Sequence, residues 1–166
     1  MKPLLLDCAQ YNEWANTRFI TLFRGVDEAL INQHIVSSFP SIRETLLHIW
    51  DVEMLWLERL KGNSPTTFPS KSFTGSNNDI YDGLLQASDN LKTYIEKCPK
   101  IEFTREIAFK TIKIGEFSDI KANMMQTTLN HSTFHRGQLV VMCRQLNIGP
   151  IPQTDFIAYK RLSRIK

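Results

Sequence analysis

The chain has 166 residues, 42% of them hydrophobic and 22% charged, the make-up of an ordinary globular protein and not of a disordered or fibrous one. At this length folding buries roughly 70% of the surface of the unfolded chain, so neither a disulfide nor a structural metal is needed, and residues 1–166 are expected to form one domain. The net charge of +3 comes from 20 basic and 17 acidic residues; the one basic cluster, Lys160, Arg161, Arg164 and Lys166, reads as a solvated helix end, and nucleic acid is not expected as a partner.

From about Leu4 to Phe23 the apolar residues Leu5, Tyr11, Trp14, Ala15, Phe19 and Leu22 recur at helical spacing, which predicts a first helix closed by Gly25. Val26 to Phe39 reads as a connection with a short helical turn. Ser41 followed by Glu44 fits a capping box, in which the serine oxygen and the glutamate carboxylate answer each other's backbone N–H. A second helix then runs to about Leu60, apolar around more than half its circumference, with His48 in its midst.

Residues 62–78 are rich in Ser, Thr, Asn, Gly and Pro and hold two isolated aromatics, Phe68 and Phe73. A loop of this length in a compact domain is usually functional or disordered. A third helix is expected from about Asp79, capped by Asn77 or Asn78, through Leu84, Leu91 and Ile95 to Pro99. Between Ile101 and Phe117, Ile107, Phe109, Ile112 and Ile114 stand among Thr, Lys and Arg, which predicts a short β-hairpin or extended crossover. Ser118 and Asp119 are expected to open a fourth helix of nearly thirty residues, about 40 Å long, ending at Asn147, Gly149 and Pro150. Thr154 and Asp155 start a short terminal helix.

On the fourth helix Met124, Thr128, His131, His135, Gln138 and Met142 form one stripe with spacings of four, three, four, three and four. Residues four apart stand above each other on an α-helix, so both imidazoles turn toward one point. Two nitrogens are half a metal site. His34 falls in an interhelical connection and His48 in a core helix, so His48 is the preferred third ligand. A lone core histidine is more often a hydrogen-bonded structural residue, but two on an inward stripe would each need a partner or incur roughly 1 to 3 kcal/mol.

Imidazole suits Zn, Ni, Cu and Fe(II), whereas Mg and Ca prefer oxygen. Three protein nitrogens leave a coordination position for water or substrate, as catalytic sites do. Ligating imidazoles give their second N–H to an acceptor; Gln138, three residues after His135, and Asp155, returning over the helix end, are the two candidates, each with a plainer role as packing amide or helix-start carboxylate. Glu44 and Asp51 lie one turn either side of His48 and are candidate general bases, Asp51 ahead because Glu44 already has a capping role.

Cys8, Cys98 and Cys143 are odd in number and lack CxxC spacing, which fits a reducing, cytoplasmic setting. Leu4 to Leu6 is too brief for a signal-peptide core, and no apolar run approaches the ~20 residues of a membrane span.

Three segments carry a resemblance. Tyr11 Asn12 Glu13 Trp14 Ala15 Asn16, then Leu46 Leu47 His48 Ile49 with Glu53, Trp56 and Leu57, then His131 Ser132 Thr133 Phe134 His135 Arg136 Gly137 Gln138 together resemble the DinB-like superfamily, damage-inducible metal-binding proteins related to the YfiT-like thiol transferases. The resemblance spans nearly the whole chain. It implies an all-α fold, an up-down-down-up four-helix bundle with a long crossover, often a homodimer, with metal ligands at His48, His131 and His135. Some relatives transfer low-molecular-weight thiols and many have no established activity.

The expected function is therefore that of a metal-dependent enzyme in which a divalent ion (Zn, Ni, Fe or Mn) activates a thiol or water toward a small-molecule electrophile. The alternative is a stress-response binding or structural protein whose metal joins two helices. Direct DNA binding has no basic recognition surface behind it.

Overall fold

The computed structural model describes residues 1–111 and 115–164. Ile112 and Ile114 of the expected hairpin and Lys166 of the basic cluster lie outside the described residues. The elements in chain order are α1 (Lys2–Phe23), α2 (Glu28–Asn32), α3 (Ile42–Leu60), α4 (Asn77–Lys97), β1 (Glu106–Thr111), β2 (Gly115–Ile120), α5 (Lys121–Gln145) and α6 (Phe156–Arg164). Short 3-10 turns at Pro69–Ser72 and Lys100–Thr104 interrupt two of the connections.

Most boundaries follow from local chemistry. Pro3 sits in the first turn of α1, where its missing N–H costs nothing, so the helix starts two residues before the expected Leu4. Ser41 caps α3 by accepting from the Glu44 N–H at 3.1 Å. Among the described residues only this half of the expected box forms there. The complete capping box lies at α4, where Ser76 and Asp79 cap each other; α4 therefore begins at Asn77, with Ser76 as the cap in place of Asn77 or Asn78. Asn147 ends α5 at φ 55°, a left-handed conformation that asparagine tolerates, and the Ile148 N–H closes back on the Cys143 carbonyl at 2.8 Å.

One boundary differs in kind. Ser118 and Asp119, expected to open the fourth helix, belong to β2, where they pair with Ala108 and Ile107. The antiparallel ladder runs from Thr111↔Gly115 to Glu106↔Ile120, and its hydrogen bonds take the backbone that a helix cap would have used. α5 starts at Lys121, and at 25 residues it spans about 38 Å.

The four long helices form a ring in which α1 packs on α4, α4 on α3, α3 on α5 and α5 on α1. Two apolar clusters fill it. One holds Phe19, Phe23, Leu46, Ile49, Leu84, Leu139 and Met142; the other holds Leu5, Ala9, Leu60, Leu91, Ile95, Phe109, Met125 and Leu129. α1 and α5 run from the second cluster to the first, while α3 and α4 run from the first to the second. That order is the up-down-down-up bundle, with residues 61–76 as the long crossover between the parallel pair α3 and α4. A polar layer of Asn12, Asn16, Glu53, Ser88, Ser132 and Arg136 lies between the clusters, every member buried.

The hairpin lies against the second cluster through Phe109, whose ring meets Trp56 edge-on at 5.3 Å. α6 folds back on α1: the Tyr11 hydroxyl donates to the Thr154 carbonyl at 2.7 Å, Phe156 packs on the Tyr11 ring, and Lys160 pairs with Asp7 at 2.8 Å. Among the described residues no helix is long and apolar enough to cross a membrane.

Candidate metal centre

His48 projects from the middle of α3, and His131 and His135 from successive turns of α5. The Nε2 atom of His131 lies 3.0 Å from the Nε2 atoms of both His48 and His135, and one nitrogen from each ring falls within 4.8 Å of the others. With metal–nitrogen bonds of roughly 2.0–2.1 Å, the edge of a tetrahedral site is about 3.3 Å. The fold thus brings together the HxxxH pair and His48, the preferred third ligand. His34, in the connection before α3, is not in the group.

Hydrogen-bond bookkeeping tests whether a cation fits. Gln138 Oε1, which can only accept, lies 2.7 Å from His135 Nδ1; that nitrogen therefore carries the hydrogen and His135 Nε2 is left with a lone pair. His131 Nε2 can offer at most one hydrogen to two facing nitrogens, and His131 Nδ1 is buried without a partner. Three neutral rings have no internal solution that satisfies every nitrogen. A divalent ion among the three Nε2 atoms would take one lone pair from each ring and end their competition for a single hydrogen, leaving only His131 Nδ1 buried without a partner, and the donor set fits one.

Burial keeps the rings neutral. It lowers the His48 pKa to about 4, with His135 adding to the effect, and that of His131 to about 3, with both other histidines contributing. Burial also lowers His135, against the opposing hydrogen bond to Gln138. Neutral imidazoles are the form that binds metal. Phe39 stacks on His48 at 4.3 Å and meets His135 edge-on at 5.6 Å, while Gln138 is itself held by donating to Ser38 Oγ at 3.1 Å. The connection before α3 thereby braces two of the three rings.

Of the expected outer partners, Gln138 is in place and Asp155 is not. Asp155 sits at the start of α6 and accepts from Gln153 at 3.2 Å, because the chain after Pro150 and Pro152 turns toward α1. Both candidate bases line a cavity of about 680 Å³ together with His48 and His131. Asp51 is buried, and burial raises its pKa against the opposing hydrogen bonds from Ser70. The Ser70 N–H donates to it at 2.9 Å and the Ser70 hydroxyl also bonds to it. Glu44 stands exposed at the rim.

Sequence reasoning missed Ser70, Phe39, Arg59 and Thr127 as lining residues. The polar crossover carried a signal for Ser70, but nothing local says which carboxylate it would meet. Glu53 was visible only as part of a motif. It is fully buried, accepting from Asn12 at 2.7 Å, Asn16 at 3.2 Å, Ser88 at 2.7 Å and Ser132 at 2.9 Å. Arg136 completes the layer by donating to the side-chain oxygens of Asn12 at 2.5 Å and Asn16 at 2.8 Å. Ser132 and Arg136 each follow a histidine by one residue, so the layer fixes the rotation of α5 that aims both rings.

The sequence profile of the DinB family matches residues 1–165. The chain belongs to the DinB family. It is 22% identical over 157 residues to Protein DinB of Bacillus subtilis (strain 168), covering 90% of each chain. A crystal structure of a DinB-like protein from Bacillus cereus superposes with a TM-score of 0.70 at 17% identity, covering 90% of this chain and 94% of that one. At that identity the likeness establishes the DinB fold.

Proposed function

We propose that this DinB-family protein is a metal-dependent enzyme that activates a thiol or water toward a small-molecule electrophile. The observation that carries the reading is the convergence of three neutral imidazole nitrogens, with the rings of His48 and His131 lining an open cavity. A first-row divalent ion held there would supply Lewis acidity, lowering the pKa of a thiol or water. His48, His131 and His135 would hold the ion; Gln138 fixes the tautomer of His135.

Asp51 accepts the proton. Burial raises its affinity for one, and it lines the same cavity as His48 and His131, so the thiol S–H or water O–H breaks with its hydrogen passing to the carboxylate; as the heteroatom bonds to the electrophile, the electrophile's bond to its leaving group breaks and the leaving group departs with the proton that Asp51 returns. Ser70 holds the carboxylate in place. The same reading takes the chain as a single domain acting as a homodimer in the cytoplasm, consistent with three free cysteines.

Metal analysis of the purified protein followed by thiol titration into the Co(II)-substituted form tests the proposal. About one ion per chain, with a thiol shifting the Co(II) spectrum, is expected. His131→Ala should lose the ion and His34→Ala should keep it. An ion that no thiol or water-competing anion perturbs, and whose removal only lowers the melting temperature, would make the metal a strut between α3 and α5.

A further inference from the structure

The cavity beside the histidines is a trough laid along one face of α3. Its floor residues Glu44, Leu47, His48, Asp51, Val52, Leu55, Trp56 and Arg59 recur at alternating steps of three and one, the spacing of a single helical stripe. His48 and Arg59 are eleven residues apart, roughly 16 Å along the axis. Between them, beyond Asp51, the floor is apolar, made by Val52, Leu55 and Trp56, and Phe68 of the crossover also lines the cavity.

The far end holds a cation without a counter-charge. Arg59 is 5% exposed, and among the described residues it makes no ion pair. Its guanidinium lies over the rings of Trp56 at 4.7 Å and Phe109 at 5.1 Å. Those contacts occupy its faces and leave its N–H edge. One edge nitrogen reaches the Lys110 carbonyl at 3.4 Å, and Nε has no partner. Burial without a neighbouring acid also pulls its pKa down. A buried guanidinium normally faces a carboxylate or phosphate, because its desolvation is otherwise unrepaid. Here the open side is the trough.

We propose that the substrate is an elongated apolar acid, its carboxylate on Arg59, its aliphatic or aryl body along Val52, Leu55 and Trp56, and its reacting end beside His48 and His131. The position of the reacting end rests on the histidine reading given above; the acid site itself does not. Asp51 does not compete for Arg59, since the two stand eight residues apart on α3, roughly 12 Å along the axis, and Ser70 holds the carboxylate at its own end of the trough.

Metal-free protein is titrated calorimetrically with octanoate and with 1-octanol, which share a body and differ in the head. Octanoate should bind at least about tenfold tighter, the worth of a hydrogen bond to a charged group. Arg59→Met, which keeps the stem on Trp56, should erase that preference and leave octanol binding unchanged; His131→Ala should leave the preference intact. Equal affinity of acid and alcohol for the unaltered protein would overturn the proposal whether or not the methionine variant folds, as would a preference that survives Arg59→Met. A preserved preference in a protein that takes up no metal would support the acid site and overturn only the histidine reading.

Discussion

Glu53 sits fully buried in the middle of the bundle, where four side chains donate to its two oxygens. Arg136 balances it at one remove, through the amide groups of Asn12 and Asn16. Each asparagine accepts from the guanidinium and donates to the carboxylate, so the two amides relay the attraction. Removing one member of such a buried set leaves the others charged or unpaired, at a cost of about 3–5 kcal/mol. Glu53→Ala is expected to lose stability on that scale by urea denaturation at unchanged slope. Glu53→Gln, which keeps the shape but turns one acceptor into a donor facing Ser88 or Ser132, should lose about 1–3 kcal/mol. A loss below 1 kcal/mol for the alanine variant would mean that Arg136 finds another partner and that the layer is not built around this carboxylate.

At the scale of elements, α3 and α4 run parallel and approach closely where Trp50 lies over Gly83. A Cβ on Gly83 would fall 2.5 Å from the Trp50 ring. Alanine in mid-helix is worth about 1 kcal/mol over glycine, yet forcing the indole aside costs typically 1–3 kcal/mol. Gly83→Ala should therefore destabilise by about 1 kcal/mol, and in a Trp50→Leu background the same change should become stabilising. Thermal denaturation of the four proteins in the cycle measures that reversal; an unchanged sign would show that the ring moves freely. The elements legible from sequence are those set by local chemistry: the Ser41 cap, the Asn147 stop and the inward stripe through His131 and His135. Those misplaced or missed depend on partners distant in the chain. Ser118 and Asp119 look like a helix start until Ala108 and Ile107 pair with them. Asp155 is near α5 in sequence but follows α6 onto α1, and nothing local to Arg59 says that β1 will lay Phe109 against it.

The histidine cluster couples the whole molecule to protons, because α3 and α5 pack together only with three rings crowded into one space. In the unfolded chain each histidine takes up a proton near pH 6.5, while in the folded metal-free protein burial delays uptake to about 4 at His48 and about 3 at His131. Between those limits the unfolded chain binds more protons than the native one, so native stability falls as pH is lowered. The loss begins near pH 6.5 and continues to about 3; its upper part lies above the ordinary carboxylate range, where acid effects from Asp and Glu enter. Urea midpoints of metal-free protein at pH 7, 6 and 5 should decline steadily. In the His48→Asn, His131→Asn, His135→Asn triple variant, which removes the titrating rings, the midpoint should stay nearly flat over the same interval. A bound divalent ion sharpens the decline, since protons and metal compete for the same nitrogens and the metal stabilises only the folded form. If the triple variant falls as steeply as the unaltered metal-free protein between pH 6.5 and 5, the acid sensitivity belongs to other groups and the three rings are not held neutral by the fold.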